Sequence, residues 1–140
     1  MHLTRQTDFA LRAMIYLATL PPSERVQIKQ ICEAFDISAN HLSKVVNKLA
    51  NIGYIDSQRG RGGGIRLGME ARDINVGDIV KAMEPTLNPI NCDDPPCILM
   101  PGCRFKMVLG RASQAFVDTI SGYTLADLVD RNVDTIELLD

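Results

Sequence analysis

Tryptophan is absent from the 140 residues and aromatic side chains make up only 5% of them. Any core must therefore be aliphatic. Long apolar runs are missing too: none approaches the roughly 20 residues that span a bilayer. The opening Met1-His2-Leu3-Thr4-Arg5 lacks the apolar centre of a secretory signal. A cytoplasmic location is the expectation, a compartment where thiols stay reduced and clustered cysteines bind metal more often than they form disulfides. No nucleophile sits beside a candidate base and no carboxylates pair in a cleft-like pattern, so an enzyme is not expected. The chain also lacks a large net charge, the formal total being -2. That total hides an asymmetry: residues 1–68 carry nine Lys/Arg against five Asp/Glu, and residues 69–140 carry six against twelve. A nucleic-acid surface would have to lie in the first half, the bland alternative there being a solvated face of mixed charge.

What is present reads as one soluble globular domain, or a small domain with an appendage. Thr4 is a plausible cap for a helix with Ala10, Ala13, Met14, Leu17 and Ala18 on one stripe, and Pro21-Pro22-Ser23 ends it. A second short helix shows Ile28, Ile31, Cys32 and Phe35 at helical spacing. After the turn Asp36-Ile37-Ser38, Ser38 caps a third with Leu42, Val45, Val46 and Leu49 on its apolar face, and Gly53 stops it. Two short helices about a tight turn are a helix-turn-helix. Tyr54–Gln58 and Gly64–Leu67 flank Arg59-Gly60-Arg61-Gly62-Gly63 as a β-hairpin, which in this position is a wing. The expected fold is mainly α with a small β-hairpin, a winged helix-turn-helix plus a long C-terminal dimerisation helix.

Three segments follow from this reading: 1–74 for DNA binding, 75–103 for a short helix and a cysteine loop, and 104–140 for the dimerisation helix and tail. The short helix runs from Val76 to Glu84 and Pro85 closes it. A polar connector precedes it. The long helix starts at Arg104, carries Phe105, Val108, Leu109, Ala112, Phe116 and Ile120 on one stripe, and ends near Gly122. Thr124 and Asp127 then cap a last short helix. A helix this long either packs back on its own domain or forms the interface of a symmetric dimer, and paired DNA half-sites favour the dimer.

On the third helix, Asn40, His41, Ser43, Lys44, Asn47, Lys48 and Asn51 lie away from the apolar stripe. Amides there can meet base edges, and lysines can meet phosphates or guanine acceptors. His41 is by itself more often a plain surface histidine. Arg59 and Arg61 at the wing tip suit a narrow minor groove, where the alternative is a flexible loop without partners. Double-stranded DNA is the expected ligand.

Cys92, Cys97 and Cys103 are spaced C-x4-C-x5-C in a stretch, 85–103, that holds five of the seven prolines. Three soft thiolates cannot pair off as disulfides, and on one loop they suit an iron–sulfur cluster, either [4Fe–4S] or [2Fe–2S]. A cluster usually takes four ligands. Cys32 reads as a core residue among Ile28, Ile31 and Phe35. Asp93 and Asp94 adjoin Cys92 too closely to share its site easily. Structural zinc would want a fourth Cys or His, and none follows nearby. An electron carrier or cluster enzyme would have no use for a helix-turn-helix.

Several stretches in order carry a resemblance. They are Leu3-Thr4…Thr7-Asp8-Phe9-Ala10-Leu11-Arg12-Ala13, Ser38-Ala39-Asn40-His41-Leu42-Ser43-Lys44-Val45, Gly60-Arg61-Gly62-Gly63-Gly64-Ile65-Arg66-Leu67, the three cysteines, and Tyr123-Thr124-Leu125-Ala126-Asp127-Leu128. Over nearly its full length the chain resembles the Rrf2 family of bacterial winged-helix regulators, and within it the nitric-oxide-sensing repressors most closely. The resemblance implies a homodimer crossing through the long helix, with an iron–sulfur cluster on each cysteine loop. It also implies that Asp8 of the partner subunit can complete the cluster; on its own residues, Asp8 is equally a first-turn carboxylate favoured by the helix dipole. Nitric oxide would be the signal, and an iron- or redox-sensing regulator or a zinc-stapled DNA-binding module the alternatives. Related regulators of cluster assembly place a histidine where this chain has Lys106, which counts against that branch.

Overall fold

Polar caps and apolar stripes alternate through the first fifty residues, and each pair becomes a helix. The structure, a computed structural model, describes residues 2–129; the tail at 130–140 assigned to the dimerisation segment lies outside them. The Thr4 hydroxyl accepts from the Thr7 N–H at 3.4 Å and starts α1 (Arg5–Ala18), which buries Thr7, Ala10, Ala13, Met14 and Leu17. Ala18, placed on the same stripe by its spacing, is only half-buried. In α2 (Ile28–Phe35) the Gln30 side chain accepts from the Gln27 N–H at 2.9 Å. Asp36 ends that helix in the left-handed region at φ 53. The Ser38 hydroxyl accepts from the His41 N–H at 3.2 Å to start α3 (Ala39–Asn51). Its Leu42, Val45, Val46 and Leu49 all enter the core. Full burial of a residue such as Leu42 is worth about 1.5–3 kcal/mol. Past the end of α3, Gly53 takes φ 89, the left-handed turn expected of a residue just beyond a helix.

The wing pairs β1 (Ile55–Gln58) with β2 (Gly64–Leu67) in antiparallel register, Ile55 opposite Leu67 and Gln58 opposite Gly64. A third edge was not anticipated: Val26 and Ile65 exchange both backbone hydrogen bonds, at 3.0 and 2.8 Å. Gly64 (φ 135) makes that approach possible, since a Cβ there would lie 2.7 Å from the Val26 carbonyl. The hairpin is thus fastened to the segment before α2.

The polar connector contains a 3-10 turn at Ala71–Asp73, and Ile74 after it is fully buried. The Asn75 side chain accepts from the Asp78 N–H to start α4 (Val76–Met83) and donates to the Ser121 carbonyl at 2.8 Å. Gly77 lets α4 lie against the end of α5 (Arg104–Ile120), where a Cβ would meet the backbone Cα of Ser121 at 3.0 Å. Thr124 and Asp127 form the expected capping box of α6 (Leu125–Leu128). Ile74, Ile79, Met83 and Leu125 join the residues of α1–α3 in a single core. The fold is accordingly the mainly helical winged helix with a two-stranded hairpin and a long C-terminal helix.

No residue of α5 is buried. Phe105, Met107 and Val108 on its first turns are 61%, 64% and 59% exposed. Of the stripe read from the sequence, Phe105, Val108 and Ala112 are exposed while Leu109, Phe116 and Ile120 are half-buried. Among the described residues no helix is long and apolar enough to cross a membrane.

Candidate functional site

The apolar stripe of α3 faces α1 and the core, which turns its polar stripe outward. Asn40, His41, Lys44, Asn47, Lys48 and Asn51 are exposed and Ser43 is half-buried. His41 is held rather than free: its ring stacks on Phe9 of α1, centroids 6.4 Å apart at 27°. Arg59 and Arg61 are exposed in the loop between β1 and β2. The structure thus puts the amide- and lysine-bearing face of α3 and the two wing arginines on the surface.

Sequence reasoning missed the groups that hold the wing in place. The Arg25 guanidinium, its side chain only 15% exposed, donates to the Asp56 carboxylate at 2.6 Å. It also donates to the carbonyls of Asp56 and Gly64 at 3.1 and 3.2 Å. Arg66, opposite Asp56 in the hairpin register, donates to the same carboxylate oxygen at 2.9 Å. Hydrogen bonds from Arg66 and then Arg25 hold the Asp56 carboxyl below its usual range. Gln27 donates to the Gly63 carbonyl at 3.0 Å. The Asp56–Arg66 pair was open to reading from strand alternation; the Arg25 contacts, 31 and 39 positions along the chain, had no local signal.

In the cysteine loop, the Cys97 N–H donates to the Cys92 carbonyl at 3.0 Å and the Met100 N–H to the Cys97 carbonyl at 3.1 Å. Cys92 is buried, Cys97 and Cys103 half-buried, and all three are free thiols. Cys103 is the N-cap of α5, its sulfur accepting from the Lys106 N–H at 3.4 Å. Cys92 lines a cavity of about 260 Å³ whose wall includes Asn88, Asn91, Lys106 and Leu109. Asp93 and Asp94 point their backbone N–H groups at the Asn91 side chain, at 3.0 and 3.2 Å, and are exposed. Among the described residues no three His, Cys, Asp or Glu side chains come close enough to hold a metal ion, the three thiols and Asp8 included. As a donor set the three thiols suit a soft metal cluster: they are unpaired, on one loop, and one already takes an N–H bond on sulfur.

Asp8 projects from α1 and accepts from Arg12 at 2.8 Å, while the Arg12 guanidinium lies over the Phe35 ring at 5.8 Å. Glu84, at the end of α4, accepts from the N–H and the hydroxyl of Thr4 at 2.6 and 3.1 Å. Burial opposes its charge, but hydrogen bonds from Thr7 and Thr4 outweigh that and hold the carboxyl below its usual range. Cys32 is buried under α2, where desolvation pushes its thiol up, as suits a core cysteine.

With this geometry the chain is similar to known proteins along its length. The family model Rrf2, described as an iron-dependent transcriptional regulator, matches residues 3–131. The solved structure of CymR (YrzC), the global cysteine regulator of B. subtilis, is 28% identical over 92% of this chain and 96% of that one, with a TM-score of 0.76. The oxidized form of Staphylococcus aureus CymR is 30% identical over 96% of this chain and 100% of that one, with a TM-score of 0.77. T. potens IscR is 25% identical over 96% of this chain and 90% of that one, also at 0.77.

Proposed function

Because the chain belongs to the Rrf2 family of transcriptional regulators, we propose that it is a homodimeric repressor of the NsrR kind, whose iron–sulfur cluster senses nitric oxide and whose hold on operator DNA depends on that cluster. Regulators of this family bind DNA and form dimers, and they are not enzymes. The observation that carries the finer reading is the cysteine loop: three free thiols between α4 and α5, the last of them seated on the N-terminus of α5.

Cys92, Cys97 and Cys103 would hold the cluster, with Asp8 of the partner subunit as the fourth ligand. A bound cluster supplies iron that nitric oxide attacks, at the expense of the protein ligands. Asp8 is available for that role because its bond to Arg12 is an exposed i,i+4 pair, worth only about 0.3–0.5 kcal/mol. Without ligation, Asp8 returns to Arg12 and the loop keeps its turns at Asn91, Cys97 and Met100 and the bond from the Ser113 hydroxyl to the Leu87 carbonyl. The same helix carries Phe9 against His41, so a shift of α1 reaches the DNA-facing side of α3. A tenfold loss of operator affinity needs about 1.4 kcal/mol between the two arrangements. The exposed Phe105, Met107 and Val108 at the start of α5 support the dimer, which places two copies of α3 for half-sites about 34 Å apart.

Lys106 stands where a histidine ligand would serve the cluster-assembly regulators, which favours nitric oxide over iron or redox sensing as the signal. Zinc is disfavoured because no fourth Cys or His adjoins the loop. The test is chemical analysis of protein purified or reconstituted without oxygen. Iron and acid-labile sulfide in roughly equal amounts are expected. A colourless protein holding zinc and no sulfide would overturn the cluster.

A further inference from the structure

The N-cap residue of the first helix is itself held by a carboxylate from another element. In a capping box the third helical residue is a Glu or Gln that reaches back to the N-cap N–H. Here the N-cap is Thr4 and the third helical residue is Thr7, whose side chain is too short for the task. Glu84, 80 positions away, supplies the carboxylate instead. One oxygen, Oε1, takes both the Thr4 N–H and the Thr4 hydroxyl, and the Thr7 hydroxyl lies 3.1 Å from that of Thr4. Thr7 is fully buried and its neighbours in this network are half-buried, so water competes poorly for the bonds. A carboxylate at this end also complements the dipole of α1.

Glu84 is the C-cap of α4, directly before Pro85, and the chain runs from it into the cysteine loop. Thr4 lies four residues before Asp8 and five before Phe9, one turn along the same helix. We propose that Glu84 is a positioning residue, a latch that ties the start of α1 to the root of the cysteine loop so that the loop and the DNA-reading helix share one arrangement. A change in the loop pulls at Glu84, loosens or re-seats the first turn of α1, and reaches α3 through Phe9 and His41. This inference rests on the proposed cluster-dependent binding of DNA, and one of its readouts does not.

The variants are Glu84→Ala and Glu84→Gln in the full chain, the amide keeping one acceptor for the Thr4 N–H. Operator affinity is measured for the cluster-loaded and cluster-free protein, beside hydrogen exchange of the first turn of α1 in the cluster-free protein. Glu84→Ala is expected to load the cluster with unchanged iron content, to shrink the ratio of loaded to cluster-free affinity at least fivefold, and to lose exchange protection at Thr7 and Asp8. Glu84→Gln is expected to recover part of both. A variant that melts earlier yet keeps the wild-type affinity ratio would make Glu84 a mere cap and overturn the latch. If wild-type protein binds DNA equally well with and without cluster, the cluster reading fails. Exchange then decides at both ends: protection lost in Glu84→Ala at Thr7 and Asp8 and also at the loop amides of Cys97 and Met100 supports the latch, and loss confined to α1, or none, overturns it. Should Glu84→Ala fail to fold, Glu84→Gln carries both readouts.

Discussion

Cys97→Ala is expected to purify without visible colour and to bind operator DNA at least tenfold more weakly than the loaded wild-type protein. Cys97 sits mid-loop, half-buried, outside the core that Leu42, Ile79 and Leu125 build with α1. Removing its sulfur therefore leaves the fold standing and takes away one of three thiolates. A cluster on the two that remain is poorly held. The matched control is Cys32→Ala, which trims a buried side chain of α2 at a cost of about 1 kcal/mol and leaves colour and DNA binding in place. Anaerobic absorption spectra and a gel-shift titration at fixed salt read both variants. Tight binding by a colourless Cys97→Ala protein would separate the DNA-reading half from the loop.

Arg59→Ala with Arg61→Ala is expected to weaken operator binding by one to two orders of magnitude without lowering the melting temperature. Both side chains are exposed at the wing tip and take part in none of the contacts that fix the hairpin. Arg25, Arg66 and Gln27 do that work from below, through Asp56 and the Gly63 and Gly64 carbonyls. Loss of affinity would thus report lost DNA contacts rather than a displaced wing. Each phosphate contact contributes about 0.9 to the slope of log affinity against log salt. A dimer lacking four such arginines should show a slope smaller by roughly 3 to 4. An unchanged slope would remove both arginines from the interface.

Most of the helical fold is legible because its signals are local. Thr4, Ser38 and Thr124 are caps within three residues of the N–H they serve, and Gly53 marks its turn by its own backbone angle. What stayed hidden is held by contacts far apart in sequence. Ile74 lies in a polar connector yet is fully buried, because Leu125 donates its N–H to the Ile74 carbonyl at 2.8 Å from the far end of the chain. Val26 joins the wing through a single pairing with Ile65, too short to leave a periodic pattern. The exposed polar positions on α3 could be picked by elimination from the buried stripe, while the brace at Arg25 and the bond between Glu84 and Thr4 could not. In the cysteine loop the spacing is a sequence property. Convergence of the three sulfurs is not: among the described residues they do not come close enough together to hold a metal ion.

The most direct measurement is a nitric oxide titration of the anaerobically prepared protein on labelled operator, with absorption and DNA binding followed in the same sample. The account predicts that the cluster bands bleach and shift over the first few nitric oxide molecules per cluster, and that operator is released over the same range. A cluster that bleaches while operator stays bound, or one that nitric oxide leaves untouched, would contradict it.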